Sequence, residues 1–188
     1  MAEKYYGWSP YNYVADNPLR FVDPDGREME PYLVFDGGRN KLLIFDDSDT
    51  GDDYTDDVFL GEYDAHNNVA DNSNGQWEDG IYSMLDQDER HTHGDATEND
   101  GVTLQDSENG RYGEGGIYRA ESYQETTGDN ITRSGMAVHA GRENITNFED
   151  RITNGCIRTT PEAMTGIDEA IESHGSLQKI IVKNNRES

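Results

Sequence analysis

The distribution of apolar residues constrains this chain more than their number does. They gather in short runs, Tyr32 to Phe35, Leu42 to Phe45 and Ile180 to Val182, while Asp and Asn crowd the stretches between. Spread evenly, a hydrophobic fraction of 32% and a formal net charge of -24 would describe a disordered chain. Gathered as they are, they predict a folded, β-rich domain with long acidic loops. The 188 residues suffice for one ordinary domain and some flanking sequence.

Local patterns give the order of elements. Tyr32 to Phe35, a turn over Asp36-Gly37-Gly38-Arg39-Asn40 and Lys41 to Phe45 read as a β-hairpin. Further strands are expected at Val58 to Tyr63, Gly80 to Met84, Gly116 to Ala120, Gly135 to His139 and Leu177 to Val182. One helix is predicted after Thr159. Thr159 and Glu162 have capping-box spacing, Pro161 suits a first turn, and Ala163, Met164, Ile167, Ala170 and Ile171 form one apolar face before His174-Gly175 ends it. Ahead of the hairpin, Tyr5 to Gly26 is a chain of Asn-Pro and Asp-Pro-Asp-Gly turn signals carrying aromatic side chains. The division expected is an arm over 1–28 and one domain over 29–188.

Charge and cysteine usage narrow the function. A surplus of 39 acidic over 15 basic residues repels phosphates and anionic lipid, so neither nucleic acid nor membrane insertion is expected. A single cysteine rules out an intramolecular disulfide and a four-thiolate zinc site. Asp47, Asp49, Gly51 and Asp53 are spaced somewhat like a calcium loop, without the closing glutamate or flanking helices. A calcium-dependent adhesion module is therefore an outlying alternative. His91 and His93, near Asp86, Asp88 and Asp95, can face one side of a strand, yet no third ligand has suitable spacing. They read as a polar loop bordering the cleft, and no metal is expected.

Chemistry concentrates in Gly135-Met136-Ala137-Val138-His139-Ala140-Gly141 and Thr153-Asn154-Gly155-Cys156-Ile157-Arg158-Thr159-Thr160. A thiol attacks a carbonyl as thiolate, which near neutral pH requires a cationic partner or a helix N-terminus. Cys156 stands just upstream of the predicted helix, whose first turn favours negative charge, and His139 at a strand end is the candidate base. Gly155 allows close backbone approach, so amides around it are expected to hold an oxyanion. A lone cysteine is more often a small buried hydrophobe, which keeps a noncatalytic domain as the alternative. Papain-like enzymes have the reverse order, Cys before His.

These two segments resemble the L,D-transpeptidase catalytic domain of the YkuD type. Its signature is a strand-ending His, a variable loop, then Ser/Thr-His-Gly-Cys followed by an apolar residue and commonly Arg or Asn. His139, Thr153, Gly155, Cys156, Ile157 and Arg158 match in order, while Asn154 stands in place of the second His and the intervening loop is shorter. Tyr32 to Phe45 is similar to the family's opening hairpin, and Trp77-Glu78-Asp79-Gly80-Ile81-Tyr82 to its Thr-Pro-x-Gly-x-Tyr segment. The resemblance covers about 150 residues. It implies a mainly β sandwich or barrel with one helix after the cysteine, and a cysteine acyltransferase acting on peptidoglycan stem peptides by L,D-transpeptidation, D-amino-acid exchange or L,D-carboxypeptidation, without a cofactor. Under it Cys156 is the nucleophile and His139 the base, with Ala140 orienting the ring and Gly155 lining the oxyanion hole. Arg158, Asn154, Thr153 and Tyr118 then contact substrate, and a noncatalytic cell-wall-binding domain is the rival.

The arm, with Ser9-Pro10-Tyr11-Asn12-Tyr13 and Asn17 to Gly26, resembles the end of the core of RHS-repeat proteins over about 22 residues. That implies an antibacterial toxin exported within a larger polypeptide, acting on muropeptides in the periplasm or cell wall of a target cell, and met by an immunity protein. The N-terminus shows no basic and apolar regions of a secretory signal, so export by a carrier is expected.

Overall fold

A computed structural model describes residues 30–47, 57–67, 69, 75–91, 116–126, 131–140, 153 and 155–185. The arm over 1–28, the body of the candidate calcium loop, His93 and Asn154 lie outside the described residues.

The expected hairpin is β1 (Glu30–Asp36) and β2 (Lys41–Asp47), paired antiparallel from Glu30–Asp47 to Asp36–Lys41. Alternation sends Leu33, Phe35, Leu42 and Ile44 into the main core and Tyr32, Val34, Leu43 and Phe45 to the opposite face. β3 (Val58–His66) continues the sheet beyond β2, and β10 (Lys179–Lys183) lies parallel to β1 with β4 (Gly80–Ser83) outside it. On the other side β9 (Ile157–Thr159) pairs with β3, β8 (Ala137–His139) runs parallel to β9, and β5 (Tyr118–Arg119) borders β8. The order of the eight strands is β4-β10-β1-β2-β3-β9-β8-β5. This sheet curls until its two edges meet at a Met84–Ala120 bridge, where Leu85 N donates to Arg119 O at 2.8 Å and Glu121 N to Ser83 O at 2.9 Å. β6 (Tyr123–Gln124) and β7 (Thr132–Arg133) form a separate two-stranded pair.

The helix, α1 (Pro161–His174), packs Ala163, Met164, Ile167 and Ala170 on the core face of β1, β2 and β3. Each large side chain buried there contributes about 1.5–3 kcal/mol. The approach is close at Gly166, where an added Cβ would lie 2.3 Å from Tyr63 Oη. Its cap differs from the expectation by one residue. Thr160 Oγ1 accepts from Ala163 N at 3.2 Å, whereas Thr159 belongs to β9 and donates its hydroxyl to Asp64 O at 2.8 Å. Gly175 ends the helix at φ 108°, its N–H reaching Ile171 O at 3.0 Å. A mainly β architecture with one helix after the cysteine is what the described residues form.

Candidate active site

A strand, not a helix terminus, follows the cysteine. Ile157–Thr159 are extended as β9 and Thr160 caps α1, so Cys156 stands roughly 13 Å of strand away from the first helical turn. The macrodipole acts within that first turn, so the expected helical support of a thiolate is corrected. Cys156 is partly exposed, its side chain packed on Ile117 and Ala137 and its thiol donating to Gly135 O at 3.6 Å. Burial pushes the thiol pKa up, outweighing the Ala137 backbone amide and the Arg158 charge, which both draw it down.

Strand register assembles the rest. Val138 pairs with Ile157 and His139 with Arg158 across β8 and β9, and Arg158 pairs with His66 of β3. Val138 and Ile157 enter the main core, so His139, Arg158 and His66 belong to the other face, which Ala137 and Cys156 share. Continuing the β5–β8 register beyond Tyr118–Val138 sets Ile117 opposite His139, and Ile117 in turn bridges His91. One row across the sheet thus reads His91, Ile117, His139, Arg158, His66. His139 and Arg158 are buried, and Cys156 is the diagonal neighbour of His139. His66 carries no motif; only its register beside Arg158 brings it to the site.

The turn before Cys156 is shaped by side chains. At φ 137° Gly155 adopts a conformation that strains an L side chain, and an added Cβ would sit tightly, 3.2 Å from Met136 Sδ and 3.3 Å from Arg133 Nη2. Gly155 N donates to Thr153 Oγ1 at 3.3 Å, and that hydroxyl donates to Cys156 O at 2.8 Å. Thr153 therefore builds the turn, and the Gly155 amide expected to hold an oxyanion is engaged inside it. Behind the turn, buried Arg133 pairs with Glu125 at 2.7 Å and reaches Gly75 O at 2.6 Å. Ala140 is buried next to His139.

The structure places Tyr118 in the main core, on the sheet face away from Cys156 and His139. It shares the face of Val138, is fully buried and donates its hydroxyl to Asp168 Oδ1 of α1 at 2.6 Å, with burial and Asp168 raising its pKa. Arg90 holds the same carboxylate at 3.0 and 2.5 Å. A cleft of about 500 Å³ beside this cluster contains none of Cys156, His139 or Arg158. Among the described residues no three His, Cys, Asp or Glu side chains are grouped to hold a metal, and no helix is long and apolar enough to cross a membrane.

No protein-family model matches the sequence, and no curated protein matches it. The structure of Bdellovibrio bacteriovorus Bd1075 aligns with a TM-score of 0.53 at 17% identity, over 85% of this chain and 50% of that one. The chain shares the fold of Bd1075. It spans about half the length of Bd1075, and at that identity the likeness concerns the fold alone. A crystal structure of an L,D-transpeptidase (Yku) from Stackebrandtia nassauensis aligns over 92% of this chain and 63% of its own, at 10% identity and a TM-score of 0.43.

Proposed function

We propose that the chain is a cysteine acyltransferase acting on peptidoglycan stem peptides. One juxtaposition carries the reading: the single cysteine shares a sheet face with His139 and Arg158 on adjacent parallel strands. The motif resemblance supplies the substrate class. Burial pushes the thiol pKa up, so a base must take the Sγ proton during attack. His139 takes the Sγ proton as sulfur attacks the carbonyl of the L-centre of the stem's diamino acid. The oxyanion collapses, the C–N bond breaks, and His139 returns the proton to the departing amine of the terminal D-Ala. An amine then takes the thioester, giving a crosslink or an exchanged D-amino acid, or water takes it, giving carboxypeptidase activity; His139 passes the acceptor's proton back to sulfur. Arg158 holds a substrate carboxylate through charge-assisted hydrogen bonds. The RHS-like arm supports delivery within a larger polypeptide to the wall or periplasm of a target cell, with an immunity protein as partner.

A noncatalytic wall-binding domain is the second reading, and the desolvation that pushes the thiol pKa up favours it. Mass analysis of muropeptides incubated with purified protein separates the two. The parent should release the terminal D-amino acid, His139→Ala should lose turnover by at least about a hundredfold, and His91→Ala should retain most of it. Equal loss at His91 would move the base; muropeptide binding without product would establish the second reading.

A further inference from the structure

The two peptide planes flanking the Cys156 Cα are held by one buried side chain. Asn67, just past β3 and 3% exposed, donates Nδ2 to Gly155 O at 2.7 Å and to Cys156 O at 2.9 Å. Its Oδ1 accepts from Trp77 N at 2.7 Å and from Asn185 Nδ2 at 2.8 Å. Both donors and both lone pairs of the carboxamide are therefore in use. Asn185, buried beyond the end of β10, also donates to Trp77 O at 2.6 Å. Its own N–H and that of Asn184 reach the Asp79 carboxylate at 2.9 and 3.0 Å. A chain of bonds runs from the end of β10 through Asn185 and Asn67 to the nucleophile's backbone.

Peptide units are planar, so a residue's φ and ψ are fixed once the planes on either side are fixed. The carbonyls of Gly155 and Cys156 mark those planes for Cys156. Thr153 Oγ1 also holds the Cys156 carbonyl, and Asn67 adds the bond to the Gly155 carbonyl that fixes the second plane. We propose that Asn67 is a positioning residue for the nucleophile: it sets φ and ψ of Cys156, and thereby the direction in which Cβ–Sγ leaves the turn, with Asn185 as its brace. This rests on Cys156 as the nucleophile, but its test is readable whatever the substrate.

Because the chain has a single cysteine, the pH profile of iodoacetamide alkylation, read by intact mass, reports on Cys156 alone. The parent should inflect above the ordinary thiol value of about 8.5. In Asn67→Ala the turn keeps only its Thr153 bonds and loosens, so the thiol gains solvent and the inflection should fall by about one unit, giving about tenfold more thiolate at pH 7.5. With muropeptides the same variant should lose about tenfold or more in kcat at little changed KM, since misplacement of a reacting group acts on the chemical step. Asn185→Ala should shift the inflection in the same direction by less, and answers the question if Asn67→Ala does not fold. Leu177→Ala, a buried core truncation at the other end of β10, is the control for lost stability and should keep the parent's inflection. An unmoved inflection in both asparagine variants, or the same shift in Leu177→Ala, overturns the proposal. A shift in a protein whose parent form turns over no muropeptide upholds the positioning role and removes the peptidoglycan reading instead.

Discussion

In the β10-β1-β2-β3 half of the sheet, strands of five to nine residues bring Leu33, Phe35, Leu42, Ile44, Ile180 and Val182 into one apolar core with α1. In the β9-β8-β5 half the strands are two or three residues long, and side chains bonded to backbone do much of the holding. Asn67 and Thr153 fix the turn at Cys156, Arg133 reaches Gly75 O, and Asp86 accepts from Arg119 N at 2.7 Å. Directional bonds place a nucleophile to within a few tenths of an ångström, whereas apolar packing is non-directional and supplies mass stability. The cysteine lies in the half built for placement.

The contrast can be broken at Arg133. If polar contacts carry the site half, Arg133→Met should cost about 3–5 kcal/mol in urea unfolding, as much as a large core truncation, because Glu125 is left charged and buried. Adding Glu125→Gln should recover a large part of the loss. A cost below about 1 kcal/mol, the value typical of an exposed pair, would show that the pair carries little.

A smaller effect sharpens the other side. The apolar half has a titrating exception where Asp46 extends the inward face of Leu42 and Ile44 to meet His174 at the end of α1, 2.8 Å away. Desolvation raises the Asp46 carboxyl to about 6, against the opposing pull of His174 and with help from Asp47 and Asp57. The unfolded chain gives up this proton near 3.8 and the folded chain near 6. The group's contribution to stability is thus full below about pH 3.8 and is lost as pH rises through about 6. Its size is on the order of 2 kcal/mol after allowance for screening. Asp46→Asn abolishes it, so thermal melts should show the variant gaining on the parent between pH 4 and pH 7. Parallel melting curves across that range would contradict the assignment.

The same contrast governs what could be read in advance. The hairpin, the helix and its apolar face are visible because their periodicity is local and sustained over five or more residues. The pairing of His139 with the Cys156 segment is visible because its residue types stand in a motif. The sequence suggests helical support for the thiolate because Ile157 to Thr159 carry no turn signal to separate a short strand from the helix behind it. The resemblance alone puts Tyr118 at the substrate, and the strand that carries it, Tyr118–Arg119, is too short for alternation to tell its face. Asn67 meets its partners across 88 and 118 residues of chain, and His66 joins the row only through register with Arg158. No local pattern encodes such pairings.

Cys156 is identified as the nucleophile by the mass of intact protein quenched in acid during muropeptide turnover. With one cysteine in the chain, a single adduct is predicted on Cys156, equal to the muropeptide less its terminal D-Ala and released by hydroxylamine as a thioester is. Cys156→Ala should melt like the parent, carry no adduct and release no D-amino acid. Release of D-amino acid by a folded Cys156→Ala protein at the parent's rate would mean that Cys156 is not the nucleophile.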